Sequence, residues 1–163
     1  MTGLILIDLQ KAFDTIDHDI LLQKMVHLRF SAHTIMWFRS YLTNRTFLVN
    51  VEKSFSDPGK LECGVPQSSI LGPLLFLLYV NDMPGAISFE MLLYADDTCL
   101  VFQAKDLDYI SKKLNSEFNK LCDWFDDYKL SIHFGMTRRN PYSSLVKIVP
   151  GMISSRSLVV RQR

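Results

Sequence analysis

Two adjacent aspartates, Asp96 and Asp97, lie inside the apolar run at residues 91–102. Apolar stretches on both sides predict two buried strands with the acidic pair at or near the turn between them. Neighbouring carboxylates repel, and burial costs each its hydration, so such a pair is typical of a site that holds a positive charge, usually a divalent metal ion. The alternative is a hairpin whose turn simply contains two aspartates, because aspartate is a good turn residue.

A third carboxylate, Asp8, lies near the end of the apolar, β-rich run at residues 3–9. If this strand pairs beside the predicted hairpin, Asp8 can face Asp96 across the sheet. Three carboxylates from two strand segments make a set of hard oxygen ligands suited to Mg²⁺. A pair of such ions about 3.5–4 Å apart can bind both the attacking and the leaving oxygen of an in-line phosphoryl transfer.

The elements that would position these carboxylates follow from the spacing of apolar residues and from capping residues. We predict helices over residues 17–28, from a cap at Ser31 through Leu42, from Ser68 or Ser69 to about Asp82, and over residues 106–128. We predict strands over residues 3–9, over residues 45–51, on each side of the aspartate pair, and over residues 130–134. The pattern indicates an α+β fold, an antiparallel sheet with helices packed on one face.

The composition is that of a folded globular protein. The chain has 163 residues, of which 48% are hydrophobic and 12% aromatic, enough for one domain with a sizeable core. The longest apolar run, residues 70–80, is too short to span a bilayer, and no signal-peptide pattern follows Met1. The three cysteines match no zinc or disulfide spacing. We therefore expect an intracellular protein, nuclear or cytoplasmic, without a membrane partner.

Charge is distributed unevenly along the chain, although the net charge is only +1. All 17 Asp and Glu lie in the first 127 residues, and seven of the 18 Lys and Arg follow them, so the first 127 residues carry a net charge of −6. The basic tail is either an arm that binds nucleic acid or sequence that was never selected as part of this fold.

Three sequence blocks carry a resemblance to a known family. They are IDLQKAFD at residues 7–14, followed by Asp17 and His18, GVPQSSILGPLLF at residues 64–76, and YADD at residues 94–97. In this order and spacing the blocks strongly resemble a reverse transcriptase, an RNA-directed DNA polymerase, of the non-LTR retrotransposon type. With the segment KLSI at residues 129–132, the resemblance covers roughly residues 2–135.

The resemblance implies roles for individual residues. Asp8 and Asp96 would be metal ligands and Asp97 the third acidic residue of the catalytic site, with two Mg²⁺ ions, or Mn²⁺ in their place. Phe13 would be a steric gate against the 2′-hydroxyl of a ribonucleotide, and Gln67 would contact the incoming nucleotide or the templating base. From their surroundings alone, Phe13 is a core aromatic and Gln67 a turn residue. Asp14 and Asp17 are interpreted as loop or cap residues and His18 as structural or solvated.

The resemblance also implies a polymerase palm, a partial domain at residues 1–135 that lacks fingers and thumb. Its partners would be an RNA template, a DNA primer and deoxynucleoside triphosphates, with a fuller copy of the element supplying the missing parts. Ser68 departs from the family, which has glycine there. Residues 136–163 depart as well, and we predict a poorly ordered basic tail, consistent with an out-of-frame read.

Two other functions fit part of the sequence. One is a catalytically inactive remnant of a retrotransposon that binds nucleic acid or another partner, with the basic tail supplying affinity. The other is a two-metal nuclease, which shares the carboxylates but explains neither Phe13 nor the GVPQ block.

Overall fold

The structure, a computed structural model, describes residues 2–67, 69–132 and 146–149. The strands are Thr2–Asp8 (β1), Arg45–Phe47 (β2), Asn50–Val51 (β3), Ser54–Phe55 (β4), Gly59–Leu61 (β5), Glu90–Tyr94 (β6), Asp97–Gln103 (β7) and Val146–Val149 (β8). The helices are His18–His27 (α1), Ala32–Leu42 (α2), Leu71–Val80 (α3) and Leu107–Asp127 (α4), with a short 3-10 helix at Met83–Ala86.

The main sheet has the strand order β6-β7-β1-β8, and every neighbouring pair in it is antiparallel. Because side chains alternate along a strand, each strand presents one set to the helices and one to the opposite face. Ile5 and Ile7 on β1 and Leu100 on β7 are buried in the core with residues of all four helices. The opposite face is open, with Leu6 and Tyr94 51% and 78% exposed.

Gly3 lies where α4 packs closely on the sheet. A Cβ atom at Gly3 would lie 2.5 Å from side-chain carbons of both Ile110 and Leu114, so any other residue would require these two side chains to shift. The apolar residues of this helix form its buried face, and it packs on β1. The prediction of an α+β fold with helices on one face of an antiparallel sheet is therefore confirmed.

The predicted helix caps are confirmed for α1 and α2. The Asp17 carboxylate accepts hydrogen bonds from the amides of Asp19 and Ile20, both at 3.0 Å, and the Ser31 hydroxyl accepts one from the amide of Thr34 at 3.1 Å. These bonds satisfy N–H groups that have no partner within the helix.

The third helix begins later than predicted, at Leu71 rather than at Ser68 or Ser69. The Ser69 hydroxyl accepts a hydrogen bond from the Gly72 amide at 2.9 Å and donates one to the Pro66 carbonyl at 2.6 Å. Ser69 therefore stabilises a turn before the helix, which ends at Val80, ahead of the 3-10 helix that contains Pro84 and Gly85.

Two strand predictions were wrong in detail. The stretch at residues 45–51 is two short strands with different partners, β2 with β5 and β3 with β4, because the chain reverses at Glu52 and Lys53, whose φ angles are 48° and 71°. The predicted closing strand at residues 130–134 reduces to a single bridge between Leu9 and Ile132, and residues 133–134 lie outside the described residues.

Part of the predicted tail is described. β8 lies within residues 136–163 and pairs with β1 from Thr2 to Ile5, so these four residues form an edge strand, which the prediction of a poorly ordered tail did not include. The rest of that tail lies outside the described residues, and the division of the chain at residue 135 stays a prediction. In the part of the chain that the structure describes, no helix is both long and apolar enough to cross a membrane.

Candidate active site

Two of the three predicted catalytic aspartates face each other. Asp8, the last residue of β1, lies directly opposite Asp97, the first residue of β7. Side chains opposite each other in an antiparallel pair share a face of the sheet and have Cβ atoms about 5 Å apart. The expectation that Asp8 faces Asp96 was wrong, because Asp96 occupies the turn between Tyr94 and Asp97, which pair with each other.

The three aspartates are also less buried than their apolar neighbours in the sequence indicate. Asp8 and Asp97 are exposed and Asp96 is half-buried, because β1 ends and β7 begins at this corner of the open face. The apolar residues around them alternate between the core and this open face. The three carboxylates are therefore accessible from solvent.

The turn that carries Asp96 has an unusual backbone. It contains two residues, Ala95 and Asp96, and Ala95 has a φ of 52°. Two-residue hairpin turns need positive φ and are usually built with asparagine or glycine, since a Cβ atom is unfavourable there. Backbone strain of this kind is often retained where it positions a functional group.

These carboxylates fit a magnesium site that is completed by a substrate. Among the described residues, no group of three or more His, Cys, Asp or Glu is close enough to hold a metal ion alone. Mg²⁺ commonly uses one or two carboxylates and takes its other ligands from water and substrate phosphates. Asp8 and Asp97 supply two such carboxylates, and like charges placed opposite each other on a sheet destabilise it unless a cation lies between them.

The loops that contain the first and second sequence blocks are hydrogen-bonded together. The amide of Val65 donates to the carbonyl of Phe13 at 2.8 Å, and the amide of Gly64 donates to the carbonyl of Ile16 at 2.7 Å. Gly64 has a φ of +84°, and a Cβ atom there would lie 2.8 Å from the Asp14 carbonyl oxygen. A glycine is required at this close contact for both reasons.

Phe13 packs against the helix that follows the second block. Its ring is half-buried, and its centroid lies 4.9 Å from that of Phe76 on α3, with the planes inclined by 36°. This contact supports the interpretation of Phe13 as a residue packed on the core. It also fixes the ring beside the two linked loops, and the steric-gate role stays a prediction.

Gln67 is exposed and is held by the first block. Its Nε2 donates a hydrogen bond to Oδ1 of Asp14 at 2.7 Å. Ser68, the departure from the family pattern, lies outside the described residues. The structure thus brings Phe13 and Gln67 onto two linked loops, and Asp8 leads directly into the first of them.

Sequence reasoning missed the part that His18 plays at these loops. A ring nitrogen of His18, Nε2, lies 2.7 Å from the carbonyl oxygen of Gly64, and the two residues are hydrogen-bonded. The interpretation of His18 as structural is therefore correct, but its partner is the second block itself. The position of His18 in the first block, directly after the capping Asp17, was the one feature of the sequence that could have indicated this role.

Asp17 joins the first block to the segment after α4. Nζ of Lys129 donates a hydrogen bond to Oδ2 of Asp17 at 2.6 Å. Burial alone would raise the pKa of Asp17, but Lys129 and the amides of Ile20 and Asp19 outweigh it, and that pKa is lowered. The same contact raises the pKa of Lys129. Asp17 is thus a helix cap, as predicted, and also one side of an ion pair.

A buried lysine, which the sequence did not reveal, connects α1 with α3 and α4. The Lys24 ammonium donates to the carbonyl of Tyr79 and to the carboxylate of Asp82. It lies 3.6 Å from the ring centroid of Tyr128 and 4.8 Å from that of Trp124. Burial lowers the pKa of Lys24 although Asp82 opposes the shift. These partners stabilise the charge inside the helical layer.

The antiparallel sheet with helices on one face is a palm-like α+β fold, and comparison with known proteins identifies the family. Residues 1–135 match the family model described as reverse transcriptase (RNA-dependent DNA polymerase). The chain belongs to this family.

Its curated relatives come from mobile elements. The chain is 32% identical over 154 residues to a probable RNA-directed DNA polymerase from transposon BS of Drosophila melanogaster, which covers 90% of this chain and 17% of that protein. It is 28% identical over 165 residues to the RNA-directed DNA polymerase from mobile element jockey of Drosophila funebris. That match covers 96% of this chain and 18% of the relative. The predicted resemblance to non-LTR retrotransposon reverse transcriptases is confirmed, and the chain spans about a sixth of the length of these relatives.

Solved structures share the fold at low sequence identity. Apo telomerase from Candida tropicalis, truncated from its C-terminal domain, superposes with a TM-score of 0.64 at 16% identity, covering 95% of this chain and 32% of that one. Telomerase from Candida albicans, in complex with a fragment of telomeric RNA, superposes with a TM-score of 0.60 at 12% identity, covering 91% and 28%.

Proposed function

We propose that this chain is the catalytic centre of an RNA-directed DNA polymerase, in which Asp8, Asp96 and Asp97 hold the metal ions of nucleotidyl transfer. The observation that carries the proposal is that Asp8 lies directly opposite Asp97, with both residues exposed, at the end of the open face. Two carboxylates in this position repel unless a cation is bound between them. The family match supplies the class of reaction.

The residues of the chain would act by binding and orientation. Two Mg²⁺ ions, or Mn²⁺, would supply the charge that stabilises the attacking 3′-oxygen and the leaving pyrophosphate. Asp8 and Asp97 would hold them from two adjacent strands, and the strained turn would direct Asp96 toward the same corner. Positioning and electrostatics provide most of the rate enhancement in phosphoryl transfer.

The two linked loops would select and orient the nucleotide. Phe13, fixed against Phe76, would exclude a ribose 2′-hydroxyl and so favour deoxynucleotides. Gln67 would contact the incoming nucleotide or the templating base from the exposed end of the second block. The substrates would be a deoxynucleoside triphosphate, a DNA primer and an RNA template.

The chain spans about a sixth of the length of its curated relatives. The partners of the whole polymerase are therefore part of the proposal. A further partner would be a fuller copy of the element, which would supply fingers and thumb. The site of action would be inside the cell, in the nucleus or the cytoplasm.

A second candidate is a catalytically inactive remnant that binds nucleic acid or another partner. Two features of the sequence favour it, namely Ser68 in place of the family glycine and the basic segment after residue 127. Serine at that position loses the backbone freedom of glycine, and basic residues bind phosphates without sequence preference.

Primer extension on an RNA template with Mg²⁺ separates the two candidates. Extension that disappears in Asp96→Asn and in Asp97→Asn, and that persists in the matched control Asp57→Asn, supports the polymerase. Asp57 is an exposed aspartate in the segment between β4 and β5. Binding that weakens with salt and is unchanged by these substitutions, without extension, supports the remnant.

A further inference from the structure

We infer that Asp14 is a positioning residue, which holds the Gln67 side chain with its amide nitrogen toward the first block and its carbonyl oxygen outward. The two residues are 53 positions apart in sequence, and Nε2 of Gln67 lies 2.7 Å from Oδ1 of Asp14. The inference rests on the proposed function and assigns a part in nucleotide recognition to Asp14, which the sequence analysis interpreted as a loop or cap residue.

The chemistry of the two groups permits only one orientation of the amide. An ionised carboxylate accepts hydrogen bonds and donates none, whereas a glutamine amide has two N–H donors on one side and an acceptor oxygen on the other. Only the nitrogen side of Gln67 can therefore face Asp14. A glutamine without such a partner would rotate between two nearly isosteric orientations and present donors half of the time.

Asp14 is the fixed member of the pair. Its amide donates to the Lys11 carbonyl at 2.8 Å, and its own carbonyl accepts from Sγ of Cys63 at 3.3 Å. Gly64 lies so close that an added Cβ atom would be 2.9 Å from the Asp14 Cα atom. Both side chains are exposed, and because these contacts fix the backbone from which the Asp14 carboxylate projects, the orienting role belongs to Asp14.

An outward carbonyl oxygen is an acceptor, and it would meet a donor on the base of the incoming or templating nucleotide. Rotating the amide would place N–H groups against that donor, and an unpaired donor in a closed site is costly. Asp14 would thus lower the KM for the nucleotide through Gln67, without contacting the nucleotide itself. This effect is separate from the metal ions held by the aspartates.

Three variants test the positioning in kinetics. In Asp14→Asn the new amide accepts either orientation of Gln67, and we expect the KM for deoxynucleotide to rise roughly 3- to 10-fold with a smaller change in kcat. Gln67→Glu places two carboxylates opposite each other, and its KM for deoxynucleotide should be higher than that of Asp14→Asn. In the double variant Asp14→Asn/Gln67→Glu, the asparagine donates to the glutamate, whose second oxygen again points outward, and KM should return to within about threefold of the wild type.

A second measurement does not depend on catalysis. The Nε2 protons of Gln67 can be assigned in ¹H–¹⁵N spectra of the full chain, because they disappear in Gln67→Glu. We expect them to shift to the values of a free glutamine in Asp14→Ala, to shift only part of the way in Asp14→Asn, because the asparagine oxygen still accepts in one of the two orientations, and to be unchanged in Asp57→Asn.

The outcomes are distinct. Rescue of KM in the double variant, with the shift of the Gln67 protons, establishes Asp14 as a positioning residue. The inference is overturned if these protons do not respond to Asp14, or if extension proceeds with an unchanged KM in Asp14→Asn. A wild-type chain that neither binds nor incorporates nucleotide overturns the proposed function, and the spectra then still decide whether Asp14 orients Gln67.

Discussion

Asp8 and Asp97 lie directly opposite each other across the β1–β7 pair, with both carboxylates exposed at the end of the open face. Opposed like charges on adjacent strands are unfavourable, and nothing in the core requires carboxylates at these two positions. The pair therefore predicts that the stability of the fold differs between the metal-free and metal-bound states, and this difference can be measured without substrate.

In the absence of metal, Asp8→Asn should raise the free energy of unfolding by about 0.2–1 kcal/mol, because it removes the repulsion with Asp97. It should also abolish stabilisation by Mg²⁺, which depends on binding to the folded state. Thermal unfolding with increasing Mg²⁺ measures both effects. Asp57→Asn should leave the Mg²⁺ response intact, and a full response in Asp8→Asn would contradict the metal assignment.

Glu117 predicts a loss of stability in acid. It is buried on α4, and hydrogen bonds from Lys120 and from the Ser88 amide lower its pKa to about 2 from 4.5. A lowered carboxyl pKa stabilises the fold above the unfolded-state value, and that contribution is lost as the pH falls from 4.5 toward 2. Because Lys120 is half-exposed, we expect at most about 2–3 kcal/mol.

Urea unfolding at a series of pH values tests this prediction. Glu117→Gln should flatten the acid limb of the stability curve, whereas Glu90→Gln, at an exposed position on β6, should leave it unchanged. An acid limb that is the same in both variants would show that another group is responsible.

Gly64 and Gly85 form a matched pair of glycines. Gly64→Ala should lower the free energy of unfolding by roughly 1–3 kcal/mol, because φ is +84° and the new Cβ atom would meet the Asp14 backbone. Gly85→Ala should change it by less than about 0.5 kcal/mol, since no atom lies within 4 Å of a Cβ there. Denaturant unfolding compares them, and equal effects would disprove the close contact between the two loops.

Lys24 predicts different results for two replacements. Lys24→Ala should cost about 2–4 kcal/mol, because it leaves a cavity among three rings and removes the partner of Asp82. Lys24→Met keeps most of the volume and should cost less than about 1.5 kcal/mol. Denaturant unfolding of both variants measures the difference in their free energies of unfolding. Lys112→Ala, at an exposed position on α4, is the control. A methionine variant that loses as much stability as the alanine variant would show that the charge, and not the packed volume, holds the helices together.

Much of the fold could be predicted from local sequence, because its signals act over a few residues. The caps at Asp17 and Ser31 and the apolar stripe of α4 are of this kind, and the structure contains each of them. The boundary at Ser69 was less certain, since a serine hydroxyl can stabilise either a helix end or the turn that precedes it.

The details of the site depend on register and tertiary contact, which local patterns do not encode. Whether Asp8 faces Asp96 or Asp97 depends on the length of one turn, and a two-residue turn with Ala95 at positive φ is atypical. The contacts of Gln67 with Asp14 and of His18 with Gly64 join positions 53 and 46 residues apart. Such pairs follow from how the loops approach each other in the folded chain.

The position of β1 in the sheet has a consequence for how this protein folds. β1 is an interior strand, yet its pairs with β7 join residues 89 to 101 positions apart, and the bridge from Leu9 reaches Ile132. During synthesis on a ribosome, the segment with Ile5 and Ile7 waits until β7 has emerged before it finds its neighbour. Pairing over such separations is slow, and it leaves an apolar strand available to chaperones and to aggregation in the meantime. The corner that carries Asp8 and Asp97, which needs one end of each strand, forms only after that late event.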